Sequence, residues 1–121
     1  MARVTFLKNR LQPTDVTLEV SEGESLQRVA LDRGVPIGDA CGGNLACSTC
    51  HCYVLEGLKG LSEMDDREDT ILGRALDVKI NSRLGCQARV SDVQARYVVQ
   101  VSEEGLDAYI HEHGDPRPKQ P

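Results

Sequence analysis

Hydrophobic and polar residues alternate in two short runs near the start of the chain. The first run covers residues 2–8, and the second covers residues 16–20, where three aliphatic residues alternate with Thr and Glu. A period of two places alternate side chains on opposite faces of a sheet and predicts β-strands. Residues 12–15 between them read Q-P-T-D, which is typical of a turn. The chain is therefore predicted to open with a β-hairpin.

A helix is predicted over residues 25–33. Ser25 suits the N-cap, and Gly34 stands where a left-handed residue would end the helix, with Pro36 just beyond it. The residues predicted to share one face are Leu26, Val29, Ala30 and Arg33.

The rest of the chain predicts a loop, one more helix and three more strands. Residues 38–50 show no periodicity and read as a loop, followed by a strand over 51–55. Ser62 and Asp65 have the spacing of a capping box, which predicts a second helix that starts there. Its apolar stripe would be supplied by Ile71, Leu72, Ala75 and Leu76. The last two strands are predicted over residues 87–90 and 97–101.

The order β-β-α-loop-β-α-β-β predicts an α+β protein with a β-grasp (ubiquitin-like roll) fold. Residues 1–105 are expected to form one domain, which suits the length of 121 residues. Residues 106–121 are expected to be a C-terminal extension, partly disordered, because residues 115–121 are rich in proline.

Composition and charge exclude some classes of function. Apolar residues make up 40% of the chain, but no apolar run approaches the roughly 20 residues that cross a bilayer. The N-terminus reads as a strand rather than a signal peptide, so a cytoplasmic protein is expected. A monomer is also expected. The net charge of −5 argues against binding to nucleic acid, whose phosphates need a basic surface.

The acidic charge is concentrated in residues 62–69, which hold five acids and one base. Acids are common in the first turn of a helix, where they interact favourably with the helix dipole. The same cluster is also suited to docking a basic partner. The sequence leaves both interpretations open.

Five cysteines are the strongest chemical signal in the chain. An odd number without a signal peptide argues against a disulfide framework and leaves metal binding or thiol chemistry. Cys41, Cys47 and Cys50 have the spacing C-x5-C-x2-C, and Cys86 follows after 35 residues. The fifth cysteine is Cys52.

Four kinds of site compete for this pattern. Structural zinc usually uses two short C-x2-C pairs, and only Cys47 and Cys50 form one. A thioredoxin-like C-x-x-C should open a helix, whereas this one runs into a predicted strand. A nucleophilic cysteine paired with His51 is weak, because neighbours on a strand point to opposite faces. A [2Fe–2S] cluster on four thiolates has a closely similar spacing, C-x4-C-x2-C…C, in plant-type ferredoxins.

Small residues near the cysteines favour the cluster. A buried [2Fe–2S] cluster with four thiolates carries net negative charge and needs hydrogen-bond donors. Gly42 and Gly43 allow backbone N–H groups to approach the sulfurs, and the hydroxyls of Ser48 and Thr49 offer further donors.

At these residues the chain resembles the vertebrate-type [2Fe–2S] ferredoxins, which include adrenodoxin, putidaredoxin and the bacterial ferredoxins of iron–sulfur-cluster assembly. The matching segments are C-G-G-N-L-A-C-S-T-C-H-C-Y-V and S-R-L-G-C-Q. The resemblance implies a β-grasp fold and one cluster per chain on Cys41, Cys47, Cys50 and Cys86, with Cys52 a packed thiol. It implies that His51 ties the cluster loop to neighbouring backbone. The residues expected around the cluster are Gly42, Gly43, Ala46, Ser48, Thr49 and His51.

The resemblance also assigns the acidic cluster to a docking helix for a reductase. The predicted docking residues are Asp65, Asp66, Glu68 and Asp69. The family usually has acids where this chain has Thr70 and Gly73, so the docking surface is altered.

The expected function is one-electron transfer rather than catalysis. The resemblance implies an NAD(P)H-dependent flavoprotein ferredoxin reductase as electron donor. The acceptor is the cluster-assembly machinery or, alternatively, a haem-thiolate monooxygenase. A zinc-stabilised binding domain without redox function is a further alternative. No general-base constellation supports an enzyme, and His111 and His113 are more typical of solvated residues than of a metal site.

Overall fold

The described part of the chain contains five strands and three α-helices. A computed structural model describes residues 2–38, 49–75 and 77–114. The elements in chain order are β1 (Ala2–Phe6), β2 (Val16–Val20), α1 (Leu26–Asp32), β3 (His51–Glu56), a 3-10 turn (Leu58–Gly60), α2 (Asp66–Leu72), β4 (Ser82–Leu84), β5 (Arg96–Val101) and α3 (Glu103–His113).

The strands form one mixed sheet in the order β2-β1-β5-β3-β4. Strands β1 and β5 are parallel, and the other neighbours are antiparallel. His51, the first residue of β3, lies opposite Leu84, the last residue of β4. The residue before β3 and the residues after β4 therefore meet at one end of the sheet.

The predicted opening hairpin and first helix are confirmed. Strands β1 and β2 pair in register, with Val4 opposite Leu18. The hydroxyl of Ser25 accepts a hydrogen bond from the backbone N–H of Arg28 at 3.2 Å, and α1 ends before Gly34, whose φ is 75°. The predicted apolar face is wrong at Arg33, which caps the helix and is exposed.

The core is built mainly from the inward-facing side chains of the sheet and from α1, with further residues from loops, α2 and α3. Of the four aromatic residues in the chain, two are fully buried there, and the rest of the core is mainly aliphatic. The largest fully buried side chains include Tyr97, Phe6, Leu26, Ile37, Leu84 and Leu106.

The second helix begins three residues later than predicted, with its N-cap at residue 65 instead of 62. Asp65 is its N-cap, and its Oδ1 accepts a hydrogen bond from the backbone N–H of Glu68 at 2.8 Å. The hydroxyl of Ser62 is used elsewhere: it donates to the carbonyl of Gln87 and accepts from the N–H of Arg89, both at 3.1 Å. Ser62 therefore joins two loops instead of capping α2.

The strand predicted over residues 87–90 is wrong, and the strand before β5 is β4. Arg89 and Val90 form only single bridges, to Ser25 and to Leu61. Their backbone groups pair with the segments before α1 and α2, so no continuous ladder forms. The predicted strands 51–55 and 97–101 are confirmed as β3 and β5, each with one more residue.

Helix α3 was not predicted. Ser102 caps it, with its hydroxyl accepting from the N–H of Gly105 at 3.0 Å. Glycine in the first turn disfavours a helix in sequence, but a Cβ at Gly105 would come within 2.9 Å of Cγ1 of Val101 and 3.3 Å of the carbonyl of His51. The predicted boundary at residue 105 falls inside α3, and Leu106 is fully buried, so the folded core continues beyond it. Residues 115–121, predicted to be disordered, lie outside the described residues.

Within the described ranges, no helix has the length and apolar composition needed to cross a membrane.

Candidate metal centre

Cys50 and Cys86 lie side by side at the end of the sheet where β3 begins and β4 ends. The backbone N–H of Cys86 donates to Sγ of Cys50, with an N···S distance of 3.5 Å. Both cysteines are free thiols and are buried. The pairing of β3 with β4 thus brings together two of the four predicted ligands.

The other predicted cluster residues divide into two groups. Thr49 and His51 lie beside Cys50 in the described chain. The residues that lie outside the described residues are Cys41, Gly42, Gly43, Ala46, Cys47 and Ser48.

The two ends of the predicted cluster loop touch each other. A Cβ at Gly38 would come within 2.1 Å of the carbonyl oxygen of Thr49, so only glycine fits where the chain leaves for residues 39–48 and returns. Gln27 of α1 fixes the position of Gly38, because its Nε2 donates to the carbonyl of Gly38 at 2.8 Å. Its backbone N–H donates to the carbonyl of Gly85 at 3.0 Å. Gln27 therefore links the start of the loop to the segment that carries Cys86.

Gly85, together with Gln27 and Gly38, forms the hydrogen-bonded frame around Cys50 and Cys86. Its N–H donates to the carbonyl of Cys50 at 2.9 Å. A Cβ there would lie 3.2 Å from both that carbonyl and Cδ1 of Ile37, so a larger residue fits only if these neighbours shift by a few tenths of an ångström. The roles of Gln27, Gly38 and Gly85 were not predicted, because they depend on contacts between segments that are distant in the chain.

The surroundings of the two cysteines suit thiolates bound to metal. Hydrogen bonding with Cys86, followed by burial, raises the pKa of Cys50, so a thiolate there needs a neighbouring positive charge. The ferric ions of a bound cluster would supply that charge. Side-chain and backbone N–H groups are aimed at the sulfurs, as Nε2 of Gln87 lies 3.6 Å from Sγ of Cys86. The residues present therefore fit an iron–sulfur cluster.

Cys52 has a different environment from Cys50. Its side chain is fully buried, and its Sγ donates to the carbonyl of Arg83 at 3.6 Å. Burial raises the pKa of Cys52 to about 12. These contacts describe a packed, neutral thiol.

His51 is tied to the backbone through a serine. Its Nε2 lies 2.8 Å from the hydroxyl of Ser82, which also accepts from the N–H of Lys79 at 2.8 Å. Burial lowers the pKa of His51, so the ring is neutral at pH 7. Among the described residues its Nδ1 has no hydrogen-bond partner; the nearest carboxylate oxygen, of Glu104, is 3.9 Å away.

A buried ion pair connects α2 to the strand that precedes Cys86. Arg83 donates from Nε and Nη2 to the two carboxylate oxygens of Glu68, at 2.7 and 3.0 Å. Glu68 also accepts from the N–H of Leu84 at 3.1 Å, and Arg83 donates to the carbonyl of Ser62 at 2.7 Å. Glu68 is only 1% exposed, so the prediction that it belongs to a docking surface is wrong.

The three other predicted docking residues, Asp65, Asp66 and Asp69, are exposed on α2. Gly73 ends this helix rather than lying inside it, with its N–H donating to the carbonyl of Asp69 at 3.0 Å. The exposed acids are therefore confined to a helix of two turns.

No second metal site is formed by the described residues, since they include no group of three or more His, Cys, Asp or Glu side chains that could hold an ion. His111 is exposed near the end of α3.

Comparison with known proteins identifies the class of domain. Residues 9–91 match the family model described as "2Fe-2S iron-sulfur cluster binding domain". The chain is 41% identical to the 2Fe-2S ferredoxin of Escherichia coli (strain K12) over 93 residues, which cover 76% of this chain and 84% of that protein.

Solved structures agree with this class. The crystal structure of an ISC-like [2Fe-2S] ferredoxin from Pseudomonas putida superposes with a TM-score of 0.78 at 36% identity, covering 85% of this chain and 94% of the other. Putidaredoxin in its covalent complex with putidaredoxin reductase gives a TM-score of 0.71 at 32% identity, covering 82% and 96%.

The chain belongs to the [2Fe–2S] ferredoxin family. The predicted resemblance, the β-grasp fold and the cofactor, one [2Fe–2S] cluster rather than zinc, are confirmed. Because ferredoxins carry electrons, the protein is an electron-transfer protein and not an enzyme.

The amide of Gln87 is expected to tune the reduction potential. A hydrogen bond to sulfur becomes stronger when reduction adds negative charge, so it favours the reduced state. Replacing Gln87 with leucine removes this donor. A difference of about 1 kcal/mol between the two oxidation states corresponds to ~40 mV for one electron, so the potential is expected to fall by roughly that amount. A spectroscopic redox titration measures it. Gln94→Leu provides the control, because Gln94 is exposed and precedes β5, whose far end, at Val101, is the part that pairs with Cys52. An unchanged potential in Gln87→Leu would refute the assignment.

Proposed function

We propose that this ferredoxin accepts single electrons from an NAD(P)H-dependent flavoprotein reductase and delivers them to the iron–sulfur-cluster assembly machinery. The observation that carries the proposal is the exposed acidic face of α2, linked by the Glu68–Arg83 pair to the strand before Cys86. The similarity to an ISC-like ferredoxin and to putidaredoxin bound to its reductase supports the two partners. The H-C pair at His51 and Cys52 and the Q-A-R-V segment after Cys86 support cluster assembly over a monooxygenase.

The cluster supplies a one-electron couple when it is bound. We propose Cys41, Cys47, Cys50 and Cys86 as its ligands. Two sets of contacts in the described chain favour binding of the cluster. Gln27 and Gly85 hold the start of the loop next to the segment that carries Cys86. The backbone amide of Cys86 and the side-chain amide of Gln87 donate to sulfur. A preorganised frame of this kind would need little rearrangement when the electron count changes, which would keep the energetic cost of electron transfer low.

The acids of α2 are proposed to steer the reductase. Asp65, Asp66 and Asp69 are exposed within one helix, and the chain as a whole carries −5. Complementary charge accelerates diffusional encounter and allows weak, rapidly exchanging complexes, which suit a carrier that must serve two partners. We propose that the carrier works as a monomer in the cytoplasm, where thiols stay reduced.

Neutralising these three acids is expected to slow reduction by the reductase roughly threefold to tenfold at low salt and to flatten its dependence on ionic strength. The variant Asp65→Asn/Asp66→Asn/Asp69→Asn preserves the N-cap, because asparagine caps as well as aspartate. Stopped-flow reduction at several salt concentrations measures the effect.

The matched control changes three exposed acids elsewhere, Asp15→Asn/Glu19→Gln/Asp32→Asn, and alters net charge by the same amount. If both triple variants react alike, the local docking surface is disproved in favour of a general charge effect.

Two acceptor assays test the rest of the proposal. The reduced protein is mixed anaerobically with the cysteine desulfurase and scaffold of the same organism, and separately with a haem-thiolate monooxygenase. We expect reoxidation coupled to cluster formation only in the first mixture. Reduction of the monooxygenase alone would favour the alternative, and a protein that no flavoprotein reductase reduces would overturn the donor as well.

A further inference from the structure

A groove of about 390 Å³ lies beside the acidic helix, between the 3-10 turn and β4. Its apolar lining comes from Leu58, Leu61, Met64 and Ile80. Ile80 is fully exposed and Leu58 is 36% exposed. Apolar side chains that converge on a concave surface and remain in water are typical of a protein-binding site. Ile80 makes no contribution to the core, so its exposure is not explained by the fold.

Buried contacts hold the walls of this groove in place. Arg83, which lines it, is fixed by Glu68 and donates to the carbonyl of Ser62 on the opposite side at 2.7 Å. Beneath the turn, the hydroxyl of Tyr97 donates to the carbonyl of Gly60 at 2.8 Å. A site that exists before binding loses little conformational entropy when a partner enters it.

The charges around the groove favour a basic partner. Residues 59–69 carry four exposed acids, Glu63, Asp65, Asp66 and Asp69, against two exposed bases, Lys59 and Arg67. The groove itself is lined by Glu63, by Lys59 and by Arg83, whose charge is paired with Glu68, so the excess of acid comes from the three aspartates that begin two residues after Glu63. The wall of the groove at Glu63 and Met64 therefore leads directly, along the chain, into Asp65, the N-cap of α2.

We propose that this groove receives an apolar side chain, flanked by lysine or arginine, from the flavoprotein reductase. The acids of α2 bring the two proteins together, and the groove holds the complex by burying Ile80 and Leu58. The inference rests on the proposed function and adds to it the apolar contact that completes the reductase interface.

The test uses two serine variants in the same loop of the cluster-loaded protein. Ile80→Ser removes the rim of the groove. Val78→Ser is the matched control, because Val78 is also exposed, at 46%, but does not line the groove. Both changes are on the surface and leave the net charge unaltered, and a thermal melt verifies that each protein folds as the wild type does.

Steady-state reduction by the NAD(P)H-dependent flavoprotein reductase of the same organism provides the first readout. Ile80→Ser is expected to raise KM for the ferredoxin about fivefold to tenfold, because an apolar side chain that was buried in the complex is lost. The maximal rate and the slope of the salt dependence are expected to stay as in the wild type, since no charge changes. Val78→Ser is expected to leave KM unchanged.

Calorimetric titration of the same reductase provides a second readout. A smaller negative heat-capacity change on binding is expected for Ile80→Ser, since this quantity reports apolar surface buried. Equal KM values for wild type and Ile80→Ser, or equal increases in both serine variants, would overturn the groove as a docking site. Failure of the wild type to accept electrons from any flavoprotein reductase would instead overturn the proposed function.

Discussion

Replacing Glu68 with glutamine is expected to destabilise the protein by about 3–5 kcal/mol, the usual cost of removing one partner of a buried ion pair. Arg83 is 4% exposed and would keep its charge in an apolar setting with one neutral acceptor in place of a carboxylate. Domains of this size are stable by only about 5–15 kcal/mol, so the loss takes a large share of the total. The midpoint of thermal unfolding is expected to fall by roughly 10 °C or more.

Asp69→Asn is the matched control for this change. It neutralises a carboxylate one residue further along α2, but one that is exposed, and we expect an effect within about 0.5 kcal/mol. A double variant, Glu68→Leu with Arg83→Met, removes both charges and is expected to be more stable than Glu68→Gln, because no buried charge is left alone. Equal stability of Glu68→Gln and wild type would show that water reaches the pair.

The same pair explains why Glu68 was wrongly predicted to be a docking residue. In the sequence Glu68 stands among four other acids and looks like one more exposed charge. Its partner, Arg83, is fifteen residues away in a strand that was itself not predicted. Only the packing of α2 on β4 separates the acid that stabilises the fold from those that face solvent.

The elements that depend on interactions between residues close in the chain were predicted correctly. Alternation gave β1 and β2, and the hydroxyl of Ser25 together with Gly34 gave both ends of α1, since these interactions lie within a few residues. The predictions failed at residues whose role is set by contacts with distant parts of the chain. Ser62 looks like an N-cap but bonds to residues 87 and 89, and Gly105 looks like a helix breaker but is needed for close packing against β3 and β5.

The cluster site shows the same division. The cysteine spacing and the flanking glycines predicted the cofactor, because the number and kind of ligands are visible in the sequence. The frame that sets their geometry was not visible. Gln27 is an ordinary polar residue in sequence, yet it joins Gly38 to Gly85 and so positions the entrance of the loop relative to Cys86.

Substitution of a ligand is expected to have the largest effect of all. Cys50→Ser and Cys86→Ser should each lose the cluster, because the two thiols are buried together and a serine hydroxyl is a poor ligand for iron at neutral pH. The wild type should contain about two irons and two sulfides per chain. Iron analysis, visible absorbance and electron paramagnetic resonance of the reduced protein measure the loss. On the cysteine spacing, Cys41→Ser and Cys47→Ser are expected to behave in the same way.

Cys52→Ala is the control that distinguishes loss of a cluster ligand from loss of a packed thiol. Cys52 is two residues from Cys50 but contacts the carbonyl of Arg83 in the core, so its removal costs only a weak S–H···O bond and a small volume, about 1 kcal/mol. Its full burial and its pKa of about 12 also predict that iodoacetamide will not label it in the folded protein at pH 8. Full iron content in Cys52→Ala, with loss in the four serine variants, would establish the ligand set. Loss of iron in Cys52→Ala with retention in Cys50→Ser would instead place Cys52 on the cluster, and the β3 strand would then have to turn over to bring it there.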